Sequence, residues 1–322
     1  GAAGSIVSMA DYAATWQTNN VTVSPNGSEK IGGTAASSTL STEGQSVTFV
    51  YVDSTQGWIN TMDSTSNVRG IPPFIQATGG TPSQDGDYEI RTFTGPGTFC
   101  VTSLSPSAPE NVVAYMVVAA GGGGGSSWRS GGGGAGGFRE GTTAPSVPYS
   151  ASPLVAATGI TVSVQPYPIT VGGGGTAGGP NLACKGTNGA DSIFSTITST
   201  GGGAGGEYNP SSTPDSAANS GGSGGGGGGQ PGGPSAGGTA SPTTSPAQGT
   251  AGGNGESAGT YASGGGGGGA TVAGSSTWTP ATANVGGAGA TTSISGSPTA
   301  YAGGGGGGQY KTVGSGNPAG GA

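Results

Sequence analysis

The sequence changes from a β-strand pattern to unbroken glycine at Tyr115-Met-Val-Val-Ala-Ala-Gly-Gly-Gly-Gly-Gly125. On the N-terminal side, Val112–Val118 is apolar and rich in β-branched residues, which predicts a strand. On the C-terminal side, 64 of the 77 glycines fall in residues 121–322, many of them in runs of four to six. This half has few side chains to bury, so any fold it adopts requires backbone to pack on backbone.

The glycine half admits two interpretations. Glycine- and proline-rich sequence without a strict period is typical of flexible, disordered chains. The alternative is a sandwich of polyglycine-II helices, each with three residues per turn and a rise of about 3.1 Å, so that six glycines span about 19 Å. Such helices have no internal hydrogen bonds, so every N–H and C=O must pair with a neighbouring helix, and only glycine permits that approach. The glycines expected to belong to this scaffold include Gly121, Gly123, Gly172, Gly174, Gly226, Gly266 and Gly305.

The first 120 residues are predicted to be β structure, divided into two segments that precede the glycine-rich domain at 121–322. Residues 1–66 form an N-terminal β module for assembly or attachment, and residues 67–120 form a β-hairpin segment that leads into the glycine half. Helical periodicity is almost absent, and Met9–Trp16 is the one candidate for a short helix.

Two elements of these segments are predicted in detail. Val47–Val52 has the strongest strand pattern of the chain, because every residue is β-branched or aromatic. In the second segment, Asp87–Phe93 and Thr98–Thr102 flank Gly95-Pro-Gly97, which predicts a hairpin.

Composition argues against several classes of function. Only 7 % of residues are charged and no Lys/Arg cluster occurs, so we expect no nucleic-acid binding. No apolar run approaches the roughly 18–20 residues of a membrane span, so we expect no membrane insertion. Histidine, the usual general base near neutral pH and the commonest zinc ligand, is absent. We therefore expect no enzyme, no catalytic residue and no cofactor.

Two smaller features are relevant to metal binding and to disulfide formation. The acidic residues of Asp85-Gly-Asp87 and Glu89 fall short of the spacing of an EF-hand calcium loop, so no metal site is predicted. Cys100 and Cys184 lie in unlike surroundings and are either two isolated thiols or one long-range disulfide.

Four strand-to-glycine motifs, in this order, resemble glycine-rich tail-fibre and receptor-binding (adhesin) proteins of bacteriophages. They are Tyr115–Gly125, Tyr167-Pro-Ile-Thr-Val-Gly-Gly-Gly-Gly175, Ser192-Ile-Phe-Ser-Thr-Ile-Thr-Ser-Thr-Gly-Gly-Gly203 and Ser293-Ile-Ser-Gly-Ser-Pro-Thr-Ala-Tyr-Ala-Gly-Gly-Gly305. The resemblance covers about residues 85–322, and residues 1–60 more loosely resemble a β module of phage fibres. It implies a mainly β and irregular fold, with N-terminal β modules before a polyglycine-helix sandwich and almost no α-helix.

Relatives in this group often close with a short apolar strand after the last glycine run. This chain ends at Ala322 without one and begins at Gly1 without an initiator Met, so we expect it to be a piece of a longer chain.

The resemblance also implies a function. The expected protein is a structural component of the virion tail fibre, extracellular, that attaches to a bacterial surface saccharide or outer-membrane receptor through loops on the polyglycine scaffold. Other fibre subunits are expected partners, and a homo-oligomer, trimeric by analogy, is expected. The alternative is a purely structural, self-assembling appendage or filament subunit without receptor binding; an ice-binding slab is disfavoured by the irregular loops.

Aromatic residues between the glycine runs are the candidates for receptor contact, because aromatic rings stack on sugar faces and keep a polar handle. The candidates are Trp128, Phe138, Tyr149, Tyr208, Tyr261 and Trp278. The opposing interpretation for each is a buried plug that caps the glycine lattice. Phe194, flanked by Ile193 and Ile197, is predicted to belong to the core.

Overall fold

The structure is a computed structural model of the 322-residue chain. It describes residues 1–64, 74–86, 88–105, 108–143, 149–179, 184–208, 216–230, 233–258, 261–276, 284–309 and 321. The chain divides into two compact units, Gly1–Pro73 and Phe74–Ala322. The second unit therefore contains both the later strands and the glycine-rich runs.

The first unit is built from five strands. They are β1 (Ile6–Ala10), β2 (Val21–Val23), β3 (Ser38–Leu40), β4 (Ser46–Asp53) and β5 (Gly57–Asp63). β4 is the central strand of an antiparallel sheet with β1 and β5, while β2 and β3 pair separately. Alternate residues of β4, Val47 and Phe49, are buried with Leu40, as the period-2 side-chain pattern of a strand requires. This confirms the strand predicted at Val47–Val52.

The turn between β4 and β5 depends on Gly57, whose φ is +71°. A Cβ at this position would also collide with the backbone of Lys30. The collision excludes a side chain here, and the positive φ would strain any residue other than glycine.

The candidate short helix at Met9–Trp16 is not formed. Met9 belongs to β1, which pairs with β4, and the chain then turns around the Asp11 carboxylate. That carboxylate accepts the N–H groups of Thr15, Trp16 and Gly44, each at 3.0 Å. The side-chain bonds of Asp11 thus favour a compact turn over a helix.

The strands of the second unit are short and are distributed over several small sheets. They are β6 (Gln76–Thr78), β7 (Thr81–Asp85), β8 (Tyr88–Thr92), β9 (Gly97–Ser103), β10 (Val112–Val113), β11 (Tyr115–Val118), β12 (Phe138–Gly141), β13 (Val155–Ala156), β14 (Ile160–Thr161), β15 (Pro166–Thr170), β16 (Ser192–Phe194), β17 (Ile197–Ser199), β18 (Glu256–Ala258), β19 (Tyr261–Ser263), β20 (Ala290–Thr292) and β21 (Thr299–Tyr301). The largest sheet has the order β17-β16-β15-β9-β6. The described residues include a 3₁₀ helix, Ala108–Glu110, but no α-helix, so the fold is mainly β with irregular regions, as expected.

Two details of the strand prediction need correction. β8 pairs with β7, not with β9, because the chain reverses at Gly86 and brings Asp85 opposite Tyr88; β9 instead pairs with β6 and β15. The strand expected over Val112–Val118 is split into β10 and β11, which pair with β14 and β12 in different sheets.

The glycine-rich part forms extended runs that lie side by side and bond through their backbones. They are 119–126, 130–137, 172–179, 184–190, 201–206, 216–220, 221–229, 235–240, 249–255, 264–270, 272–275, 284–289 and 302–308. The N–H groups of residues 223–228 donate at 2.8–3.0 Å, and the partner changes with a period of three residues: run 130–137, then run 249–255, then run 216–220.

The carbonyl groups of residues 223–227 accept bonds of 2.8–2.9 Å with the same period of three. The donors come from three further runs, 201–206, 264–270 and 235–240. Run 221–229 is therefore buried among six neighbours. A three-residue period is that of a polyproline-II-type helix, and pairing with neighbours satisfies the backbone without any internal bond.

Apolar side chains gather around the sheets that join the runs. Phe99, Val101, Val162 and Tyr167 form one buried cluster, against which Phe194 packs. The ring of Phe194 lies 5.8 Å from that of Phe99 and 6.1 Å from that of Tyr167, which confirms the prediction that Phe194 belongs to the core. This unit thus combines conventional side-chain packing at the strands with backbone packing in the runs.

Candidate functional site

The directions of the runs define two ends of the glycine lattice. Runs 119–126 and 130–137 are antiparallel, with Gly125 bonded to Gly131 and Ala119 to Gly137, both at 3.0 Å. The turn 126–130 joins them at one end, which we call the loop end. β11 and β12 adjoin them at the other, which we call the strand end.

Backbone hydrogen bonds bring many other turns to the loop end. The N–H of Gly229 donates to Arg129 and that of Gly308 donates to Ser130, both at 2.7 Å. Gly264 donates to Gly308 at 2.8 Å. The described segments at this end include 126–130, 184–185, 207–208, 229–230, 233–235, 255–258, 261–264, 275–276, 284 and 308–309. The strands β11, β12, β15, β16, β17, β20 and β21 all belong to the opposite end.

Trp128 is the most prominent side chain at the loop end. Its exposed fraction is 73 %, the highest among the large apolar side chains described in the second unit. The turn that carries it is held at both sides: Ser126 donates to Cys184 at 2.9 Å, and the Ser130 hydroxyl donates to the Ser127 carbonyl at 2.8 Å. Ser127 has a φ of +92°, an uncommon conformation for a residue with a Cβ. A fixed turn therefore presents this indole to solvent.

Tyr208 lies beside Trp128's neighbour, Arg129. The guanidinium carbon of Arg129 is 4.8 Å from the Tyr208 ring centroid, and its Nη1 donates to the Tyr208 hydroxyl at 3.2 Å. Arg129 was not among the sequence candidates. The sequence could have pointed to Arg129, because it is a cation next to Trp128 in a chain with only seven Lys and Arg residues.

The structure removes Phe138 from the set of receptor-contact candidates. It is fully buried at the strand end, where it packs with Ala270 and Ala290. A ring with no exposed surface cannot contact a receptor, and the interpretation of Phe138 as a core plug is the one that the burial supports.

Tyr149 also lies at the strand end and does not share a surface with Trp128. Its hydroxyl is buried. Burial, together with the nearby Glu140 carboxylate, raises the pKa of the Tyr149 phenol. Glu140 is itself buried and accepts hydrogen bonds from the Ser152 N–H at 3.0 Å and the Thr292 hydroxyl at 2.7 Å.

The last two candidates are placed less completely. Tyr261 begins β19, which pairs with β18 in a hairpin at the loop end. Trp278 lies outside the described residues.

The comparisons with known proteins bear on the second unit. A family model described as a glycine-rich domain matches residues 92–322, which is more than half of the chain. The chain belongs to this glycine-rich domain family. No curated protein and no solved structure matches the chain significantly.

The glycine-rich domain uses the seven scaffold glycines in different ways. At Gly123, Gly172, Gly226 and Gly266 an added Cβ would come within 3.0 Å of a neighbouring backbone, so these positions require glycine. At Gly305 the nearest atoms would be at 3.2 Å, a tight contact, and at Gly121 at 3.6 Å, an ordinary one. At Gly174 nothing lies within 4 Å, so the lattice of this chain does not explain that glycine.

The chemistry of the described residues is limited. Cys100 and Cys184 are free thiols, so the alternative of one disulfide is not adopted. The described part of the chain has no group of three or more His, Cys, Asp or Glu side chains placed to hold a metal ion. Within the same residues, no helix is long and apolar enough to cross a membrane.

Proposed function

We propose that the glycine-rich domain is the attachment part of a bacteriophage tail-fibre protein, and that its loop end binds a saccharide or an outer-membrane receptor on the bacterial surface. In this role the protein is an extracellular virion component that acts together with other fibre subunits. It forms a homo-oligomer, a trimer by analogy with phage fibres.

The single observation that carries this proposal is the exposure of Trp128 on a fixed turn at the loop end. Burying a tryptophan contributes about 1.5–3 kcal/mol or more relative to exposing it, so a folded chain gains from covering it. An indole left 73 % exposed by a turn that is held on both sides therefore offers apolar surface that an external partner can cover.

The neighbouring residues suit a polar, weakly charged ligand such as a saccharide. Aromatic rings cover the apolar faces of sugars, while the hydroxyl and guanidinium groups of Tyr208 and Arg129 supply hydrogen bonds. Tyr261 and Trp278 remain candidates within the same proposal; Phe138 does not. Each contact is weak, and several copies in one fibre would multiply the affinity.

The scaffold supports the same role. In the run 221–229 every neighbour is held by backbone bonds. Loop sequences can therefore differ without removing the contacts that hold the runs together. A rigid support with variable loops is the general arrangement of binding proteins.

The proposal is tested with labelled protein and a panel of bacterial strains. We expect saturable binding to a subset of strains, and Trp128→Ala should weaken it by about tenfold or more. Val272→Ala is the matched control, because Val272 is also exposed, at 53 %, but at the strand end. If Trp128→Ala bound as well as the parent protein, the proposal that the loop end is the contact surface would be rejected.

The alternative, a structural subunit without receptor binding, is favoured by one observation. Run 172–179 exposes glycines at which an added Cβ would meet nothing within 4 Å in the described part of the chain. Absence of binding to every strain, together with regular assembly of the purified chain, would support that alternative.

A further inference from the structure

A groove runs along the glycine lattice beside run 130–137. Its walls are run 119–126 and run 302–308, and its volume is about 460 Å³. Apart from Ser130 and Ala135, every residue that lines it is glycine. The groove is thus a channel of exposed backbone.

The hydrogen bonds of run 130–137 show why the groove is there. Among the described residues, five runs surround run 130–137, against six around run 221–229. They are 119–126, 201–206, 221–229, 264–270 and 302–308. The N–H groups of Gly131, Gly134 and Gly137 donate to one neighbour, and those of Gly132 and Ala135 to another. A run with three residues per turn has three rows of N–H groups. The third row of run 130–137 therefore faces a third direction, about 120° from the other two. That direction is the sixth neighbour position, which is the groove.

The groove has unused hydrogen-bonding groups of both kinds. Among the described residues, the N–H of Gly133 has no partner, and Gly133 is the one glycine of run 130–137 that is not buried. The carbonyl groups on the two walls also lack partners within the described part of the chain. They are those of Gly122, Gly125, Gly303 and Gly306. A backbone lying here would donate to both walls and accept from the floor.

The chain itself carries a run with the matching features. In run 172–179, residues 172, 175 and 178 face inward and the residues between them are exposed. The N–H groups of Gly173, Gly174 and Ala177 have no partner among the described residues. A Cβ added at Gly173, Gly174 or Gly179 would meet nothing within 4 Å. Glycine costs more conformational entropy on folding than any other residue, so its use on an open face requires another explanation.

We propose that the groove binds run 172–179 of a second copy of this chain. The exposed N–H donors of that run face the carbonyl acceptors of the two walls, so the partial charges of the two surfaces are complementary. The exposed glycines permit the close backbone approach that a side chain would prevent. This adds a polyglycine-II helix to a lattice in the way that β-augmentation adds a strand to a sheet.

The geometry of this contact determines the kind of assembly. The groove and run 172–179 are different surfaces of the same molecule, so the contact is heterologous. A heterologous contact leaves one unused surface at each end of a pair and continues into a chain or a ring. This assembly is independent of receptor binding through Trp128.

The test uses single substitutions that block one surface without disturbing the fold. Gly124→Val places its Cβ 3.5 Å from the nearest atom, the Gly131 carbonyl oxygen, and 3.9 Å from the Gly133 nitrogen, inside the groove. Gly121→Val is a second groove variant, with its nearest atom at 3.6 Å. Gly174→Val blocks the run instead. Gly95→Val is the control, since it too meets nothing within 4 Å but belongs to neither surface.

Sedimentation velocity over a concentration series gives the result. We expect the parent protein and Gly95→Val to associate beyond a pair as concentration rises, and each of the three blocking variants to lose this association at least tenfold. A mixture of Gly124→Val and Gly174→Val should form one-to-one complexes that grow no further, because each supplies the surface that the other lacks. Unchanged melting temperatures confirm that the variants are folded.

Two results would overturn the proposal. One is a parent protein that stays a monomer up to about 1 mM, the concentration at which a contact of only about 4 kcal/mol is half formed. The other is association by Gly124→Val and Gly121→Val equal to that of the parent. Neither result affects the strain-binding test of Trp128, so the two proposals can fail separately.

Discussion

Arg129 lies over the ring of Tyr208, with its guanidinium carbon 4.8 Å from the ring centroid and its Nη1 3.2 Å from the phenol oxygen. This contact joins the turn 126–130 to the segment that follows run 201–206. It also fixes the residue next to Trp128. The pair therefore helps to hold the turn in place, and its two side chains also form part of the proposed attachment surface.

The first prediction concerns this pair. Arg129→Gln combined with Tyr208→Leu in a double-mutant cycle should give a coupling free energy of about 0.5–1 kcal/mol, the range of partly exposed cation–π contacts. Tyr208→Phe should keep the ring contact and lose only the hydrogen bond. Chemical denaturation of the four proteins measures the coupling, and strictly additive effects would show that the two side chains do not interact in solution.

The second prediction separates Phe138 from Trp128. Phe138→Ala should lower the free energy of unfolding by about 3–5 kcal/mol, because it leaves a cavity between β12 and its neighbours. Trp128→Ala should change stability by no more than about 0.5 kcal/mol, since it removes an exposed side chain. Thermal melting of both variants checks this, and a stable Phe138→Ala protein would contradict the burial of that ring.

The third prediction tests backbone packing. Gly266→Val places a Cβ against the Val285 carbonyl, and neither atom can move without breaking lattice bonds. We expect a loss of about 3 kcal/mol or more, which lowers the melting temperature by roughly 6–12 °C for a unit of this size. Gly174→Val is the matched control and should melt within about 2 °C of the parent protein. Equal melting of the two variants would mean that the runs are not packed as described.

The fourth prediction concerns pH and the first unit. Desolvation acts to raise the pKa of the Asp11 carboxyl, but N–H donors from Trp16, Thr15 and Gly44 outweigh it, so the pKa lies below its ordinary value. A carboxyl whose pKa is lower in the folded state stabilises the fold above its unfolded pKa. That stabilisation is lost as the pH falls through the folded value.

Asp11→Asn removes this titration. We expect the first unit of the parent protein to lose stability as the pH falls below about 4, and the variant to lose less over the same interval. Calorimetry at a series of pH values from neutral to acid measures the difference. Parallel pH profiles for the two proteins would assign the acid sensitivity to other carboxyl groups.

Local patterns in the sequence are sufficient for part of the fold. The strand over Val47–Val52 follows from its β-branched and aromatic residues, and the core role of Phe194 follows from Ile193 and Ile197. Pairing partners do not follow, because a strand pattern does not say which strand lies beside it. The β7–β8 hairpin depends on Gly86, a signal weaker than Gly95-Pro-Gly97, and Asp11 suppresses a helix through side-chain bonds that composition does not reveal.

As with the fold, only part of the candidate site could be predicted from local sequence patterns. Trp128 and Tyr208 were identifiable as aromatic residues between glycine runs, and both belong to the loop end. Phe138 has the same sequence context but lies immediately after a run, where β12 turns the ring into the strand-end cluster. Which end a residue occupies depends on whether its run leads toward the loop end or toward the strand end. Only the backbone hydrogen bonds establish that direction.

The three-residue rotation of partners along run 221–229 constrains how such a chain can change in length. Deleting one residue from the middle of the run would turn everything after it by about 120°, so each N–H would face the wrong neighbour. Deleting three residues would restore every direction and shorten the run by one turn. Insertions and deletions within the runs should therefore be tolerated only in multiples of three residues. The loops between the runs should tolerate insertions and deletions of any length.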